Sequence, residues 1–188
     1  MELYLIRHTT PDVPQGVCYG QAEVDLAESF AAEVERIRAK LTGLAPAACY
    51  SSPLLRCGRL AAMLGYGEPR HDARLKELDF GAWELKPWDE IPRDALDRWG
   101  QAFVHEAPPG GETFAALHGR ATAFLREVAE LPLAGAVVVV THAGVIRALL
   151  AEVLAMPLAE AFRFHLDYSG VTQLLLHGPV PSVGYVNR

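Results

Sequence analysis

Two continuous apolar runs, Leu3-Tyr4-Leu5-Ile6 and Gly135 to Val140 with its four valines, stand out from the hydrophobic pattern of the chain. The valine run predicts a strand buried on both faces of a sheet, and the first run predicts a strand over about Glu2 to Arg7. A loop rich in Pro, Gly and Asp follows through Asp25, and the period then changes. Phe30, Val34, Ile37 and Leu41 recur at helical spacing and predict an amphipathic helix ending near Gly43. Ala47 to Tyr50 predicts a short buried strand. Ser51-Ser52-Pro53 after it is a helix-start signal, a serine cap with proline in the first turn, and it puts Arg56 in that turn.

Arg70 to Leu75 predicts another short strand before an irregular segment carrying Glu77, Asp79, Gly81, Trp83 and Trp88. A helix is expected from about Arg93 to Val104, and Pro108-Pro109-Gly110-Gly111 then breaks the chain. Phe114, Leu117, Ala121, Phe124, Leu125 and Val128 mark a further amphipathic helix. Val145 to Leu154 has helical length, and Arg163 to Leu166 and Val171 to Leu176 look like closing strands. Strands alternating with helices predict an α/β fold: a three-layer α/β/α sandwich with a mostly parallel central sheet and an antiparallel edge late in the chain.

Composition narrows the function classes. A chain of 188 residues, 51% hydrophobic and 21% charged, suggests one soluble globular domain spanning 1–188. A formal charge of −6 argues against nucleic-acid or anionic-membrane partners, so an anionic substrate must meet local cations. The three cysteines, Cys18, Cys49 and Cys57, lack metal-site spacing, and no secretory segment stands near Met1, which together favour the cytoplasm. The long apolar region from 131 to 156 is interrupted by His142, Arg147 and Glu152 and fails as a membrane span.

The chemistry concentrates at strand ends. Arg7-His8 follows the first apolar run, where ligands bind in open α/β sheets, and an anion held by Arg7 with chemistry at a solvent-facing His8 is one reading. Two amphipathic side chains ending a strand at the surface is the other. The arrangement recurs, because the valine run stops at Thr141-His142-Ala143-Gly144 and places a second histidine at a helix N-terminus, where backbone N–H groups favour anions.

Four ordered segments carry a resemblance: Leu5-Ile6-Arg7-His8; Ser51-Ser52-Pro53-Leu54-Leu55-Arg56-Cys57; Leu75 through Glu84; and Val138 through Arg147, with Pro109-Gly110-Gly111-Glu112 a weaker fifth. Across nearly its whole length the chain resembles the histidine phosphatase superfamily, of phosphoglycerate-mutase-like fold. The resemblance implies that His8 is a nucleophile that becomes phosphohistidine, that Arg7, Arg56 and His142 bind the transferred phosphoryl group, and that Glu77 donates the proton. A phosphoryl group in flight spreads charge over its equatorial oxygens, which guanidinium forks stabilise well. With two arginines carrying that charge, neither a metal nor a cofactor is expected. His8 must attack as neutral imidazole, while His142 is more useful as a cationic donor.

Some positions depart from the family pattern. Thr9 stands where glycine usually follows the nucleophile, and Leu85 where glycine often follows Trp-Glu. Thr9-Thr10-Pro11 and the loop from Gly16 to Ala27 resemble the alpha-ribazole phosphatase-like subgroup, which acts in cobalamin synthesis, and Tyr19 and Gly20 of this loop are expected at the substrate. No Lys or Arg occurs from Thr9 through Glu35 or from Gln101 through Gly119. A phosphomonoesterase acting on a small phosphorylated metabolite, alpha-ribazole 5′-phosphate among the candidates, is therefore preferred over a phosphoglycerate mutase and over a noncatalytic phosphate-binding module. The oligomeric state, a homodimer included, is left open.

Overall fold

The computed structural model describes residues 1–132, 135–177 and 180–188. In chain order the elements are β1 (Glu2–Arg7), α1 (Phe30–Lys40), β2 (Ala48–Ser51), α2 (Leu55–Leu64), β3 (Arg70–His71), α3 (Arg93–Ala102), α4 (Phe114–Glu130), β4 (Ala136–Thr141), α5 (Ala143–Val153), β5 (Val171–Leu175) and β6 (Ser182–Tyr185). They form one sheet in the order β3-β2-β4-β1-β5-β6. The first four strands of that order run parallel, and β5 and β6 form the antiparallel edge.

Strand alternation sorts the core into two layers. Leu3, Leu5, Val137 and Val139 face α4 and α5, whereas Ile6, Val138 and Val140 face α1 and α2. Helices on both faces make the α/β/α sandwich that the pattern predicts. Every residue of β4 is buried, which accounts for its uninterrupted apolar run. No helix among the described residues is long and apolar enough to cross a membrane.

Three local expectations are corrected. The strand over Arg70 to Leu75 shrinks to Arg70–His71, because Asp72 accepts a hydrogen bond from the Arg74 amide and turns Ala73–Leu75 into a 3₁₀ helix. Arg163 to Leu166 is not a strand. Leu158–Arg163 is 3₁₀, and the carbonyls of Phe164 and Leu166 accept from Arg147 Nε at 3.1 Å and Arg7 Nη1 at 2.5 Å instead of joining a ladder. The half-exposed edge strand β6 lacks the apolar signal that would have predicted it.

Register is what builds the site. Arg7 lies opposite Thr141, and Ser51 opposite Val140, so β1, β4 and β2 end level at their carboxyl ends. The ladder continues past them, with the His8 amide donating to Thr141 O at 3.0 Å and the Ser52 amide to Val140 O at 2.9 Å. His8, Ser52 and His142 therefore emerge side by side.

Candidate active site

His8 is only 1% exposed, so it does not meet bulk solvent as a strand end suggests. Its ring centroid lies 5.1 Å from that of His142, 5.5 Å from Tyr168 and 6.3 Å from Tyr19. Tyr19 and Tyr168 share a hydrogen bond of 2.8 Å between their hydroxyls and cover the imidazole. His8 Nδ1 sits 2.7 Å from Thr9 O, and a carbonyl can only accept, so Nδ1 carries the proton. In the neutral ring this leaves the lone pair on Nε2. Burial, then the Arg56 and Arg7 charges, hold His8 well below the usual 6.5, so it is neutral at pH 7.

Arg56 projects from the first turn of α2 and is fully buried. Its Nη1 donates to Ala22 O at 3.0 Å and its Nη2 to Gly20 O at 2.6 Å. Arg7 lies over the Tyr168 ring, 3.8 Å from its centroid. The Nε of both arginines is buried with no partner among the described residues. An unmet buried donor costs about 1–3 kcal/mol, so two of them beside one histidine mark a place built for a further acceptor.

The serine cap expected for α2 is not formed. Ser52 Oγ accepts only a long bond from the Leu54 amide, 3.4 Å, and lies 2.8 Å from His142 Nε2; the helix starts at Leu55, whose amide is met by Glu23 Oε2 at 2.9 Å. His142 is fully buried at the N-terminus of α5. Burial first, then Arg56 and His8, hold it well below 6.5, which overturns the cationic donor expected from the sequence: in the free protein the ring is neutral.

Glu77 reaches the same edge from the irregular segment. Its Oε1 accepts from the Leu78 amide at 2.8 Å and its Oε2 from the Gly144 amide at 3.2 Å. Arg120 of α4 secures this segment by donating to the carbonyls of Arg74, Lys76 and Glu77 at 2.6–2.9 Å, and it pairs with Glu112, which also accepts from the Asp79 amide. The Pro109–Glu112 motif thus braces the Glu77 loop.

A cavity of about 230 Å³ opens beside this centre. Arg7, Tyr19, Gly20, Glu77, Arg147 and the rings of Trp88 and Phe162 line it, whereas His8, Arg56 and His142 lie behind the lining. Gly20 adopts a φ of +37°, and a Cβ there would collide with Glu84 Oε1 and come within 2.9 Å of Leu78 O. Its backbone aims a carbonyl at Arg56, so only its wall position fits the expected substrate contact. Sequence reasoning assigned no role to Tyr168 and Arg147. Tyr168 falls in a stretch without a motif, but Arg147 ends the Val138–Arg147 segment and could have been found there. Among the described residues no three His, Cys, Asp or Glu side chains converge on a metal position.

A family model described as histidine phosphatase superfamily (branch 1) matches residues 3–188. The chain belongs to this superfamily of phosphatases. Individual relatives match along most of their length. Phosphoserine phosphatase 1 of Hydrogenobacter thermophilus is 28% identical over 175 residues, covering 89% of this chain and 82% of the relative. The adenosylcobalamin/alpha-ribazole phosphatase of Escherichia coli K12 is 25% identical, covering 89% and 86%. A solved mycobacterial glucosyl-3-phosphoglycerate phosphatase is 28% identical and superposes with a TM-score of 0.86 over 99% of this chain and 98% of its own.

Proposed function

We propose that the whole chain acts as one metal-independent phosphomonoesterase domain, working through a phosphohistidine on His8. One observation carries this reading: a neutral histidine with its lone pair on Nε2 is buried beside two arginines that each keep an unmet buried Nε–H. His8 Nε2 attacks phosphorus, the ester P–O bond breaks, and Glu77 gives its proton to the departing alkoxide. Water then attacks the phosphohistidine, the P–N bond breaks, Glu77 takes the proton back, and inorganic phosphate leaves. Arg7 and Arg56 hold the equatorial oxygens through both steps and supply the charge a metal ion would otherwise supply. His142 donates one hydrogen bond from its neutral ring.

The substrate is a small phosphorylated metabolite. The Thr9-Thr10-Pro11 and Gly16–Ala27 segments favour alpha-ribazole 5′-phosphate, whereas the 230 Å³ cavity, below the roughly 300 Å³ of drug-sized ligand sites, favours a more compact alcohol. Free, buried Cys18, Cys49 and Cys57 support a reducing, cytoplasmic setting. Rapid quench with labelled aryl phosphate in chelator tests the mechanism. Acid-labile, base-stable label is expected on the wild type and absent from His8→Ala. Equal labelling of His8→Ala would remove His8 as nucleophile, and saturation without phosphate release would leave a binding module.

A further inference from the structure

Arg147 carries two donors for which the reaction above has no use. It lies three residues beyond Gly144 on α5, within one turn of the amide that holds Glu77. Its Nε donates to Phe164 O, and its guanidinium carbon lies 5.0 Å from the Phe162 ring centroid, which together fix the plane of the fork. Nη1 and Nη2 bond no protein group among the described residues, yet neither is sealed off. Both belong to a side chain on the cavity wall that also carries Arg7 and Glu77.

Charge balance indicates what these donors meet. Among the described residues Glu77 is the only carboxylate in the lining. Its two oxygens are taken by the Leu78 and Gly144 amides and form no ion pair with Arg147, and a half-buried guanidinium in an aromatic-walled cavity is costly without an anion. Arg7 and Arg56 are committed to the phosphoryl group, so the anion must belong to the rest of the substrate. The Nη edge of a guanidinium presents two parallel N–H bonds that match a planar carboxylate. A second phosphate would bring two charges to one cation, and the small cavity leaves little length between the two anions.

We infer that Arg147 binds a carboxylate on the leaving group, which makes small phosphorylated hydroxy acids the preferred substrates. This inference rests on the phosphomonoesterase reading. Matched esters test it: O-phosphoserine against O-phosphoethanolamine, and 3-phosphoglycerate against glycerol 3-phosphate, which differ at the carboxylate. Nitrophenyl phosphate is the control for turnover as such.

The wild type should favour the acid of each pair by roughly 10-fold or more in kcat/KM, the size of a charge-assisted hydrogen-bond pair. In Arg147→Gln that ratio should fall toward one, through KM, and Arg147→Lys should restore part of it. Free glycerate should also inhibit the wild type more strongly than glycerol, a readout that needs no variant. Equal turnover within each wild-type pair, or a preference that Arg147→Gln leaves intact, would overturn the inference. Failure to release phosphate from any ester, nitrophenyl phosphate included, would instead sink the phosphomonoesterase reading and the inference with it.

Discussion

Adding one methyl group at Gly144 separates the catalytic role of Glu77 from its part in the fold. A Cβ at this position would fall on Glu77 Oε1, 3.2 Å from its Cδ and 3.4 Å from Leu117 Cδ1. The main obstacle is the tip of a flexible side chain, so the carboxylate moves and the backbone stays. Alanine in the first turn of α5 gains up to about 1 kcal/mol in helix propensity. Displacing the carboxylate from the Gly144 amide loses about 1.5–3 kcal/mol. The net cost is thus roughly 0.5–3 kcal/mol, which lowers Tm by about 1–12 °C in a chain of this size. The loss to chemistry is larger. A general acid contributes on the order of 10²–10⁴ in rate, equivalent to about 2.7–5.4 kcal/mol of barrier.

The two effects are measured apart. Thermal melts report the fold, and single-turnover quench with an alkyl phosphate and with nitrophenyl phosphate reports the first chemical step. Nitrophenolate leaves without a proton, so Gly144→Ala should slow the alkyl ester by at least about 100-fold more than the aryl ester, as Glu77→Gln should. An alkyl-ester rate within twofold of wild type would mean that Glu77 is not used where the structure holds it. Equal slowing of both esters would make Glu77 a positioning residue rather than an acid.

The two depressed histidines set a pH window for stability. Unfolded chain takes up protons near pH 6.5 that folded His8 and His142 refuse, so their contribution is complete above 6.5 and declines as pH falls toward their folded-state values, by up to about 1.4 kcal/mol per unit for each. Melts across this range should show Tm falling only below about pH 6.5, with a shallower slope in His8→Asn; a slope unchanged in that variant would refute the assignment. Leu85 is 61% exposed and stands at a φ of +64°, a conformation that costs an L-residue roughly 1–2 kcal/mol. Leu85→Gly should relieve that strain, less about 0.5–1 kcal/mol of added freedom in the unfolded chain, and raise the urea midpoint modestly; a lower midpoint would contradict it.

What could be read from the chain, and what could not, divides by the range of the interactions involved. Leu3 to Ile6 and Val137 to Val140 are legible because a strand buried on both faces must be apolar throughout, and pairing two such strands in parallel brings their ends level. The family pattern then supplied expected roles for His8, Arg56, Glu77 and His142; that register brings His8 and His142 together, whereas α2 delivers Arg56 and the Arg120-held segment delivers Glu77. The strand expected over Arg70 to Leu75 failed to a near contact, Asp72 with the Arg74 amide, but around the site local rules failed where a distant polar group displaced the near one. Ser52 reads as a cap but faces His142, 90 residues away, and Glu23 meets the Leu55 amide. Phe164 and Leu166 read as a strand, yet arginines from α5 and β1 occupy their carbonyls. The neutrality of His142 and the cover over His8 likewise depend on burial and on a Tyr19–Tyr168 contact spanning 149 residues. These misreadings cluster around the arginine–histidine centre because that is where side chains are bound to long-range partners instead of to their own secondary structure. Polar signals that fail locally near a strand's carboxyl end therefore point toward a site and not toward noise.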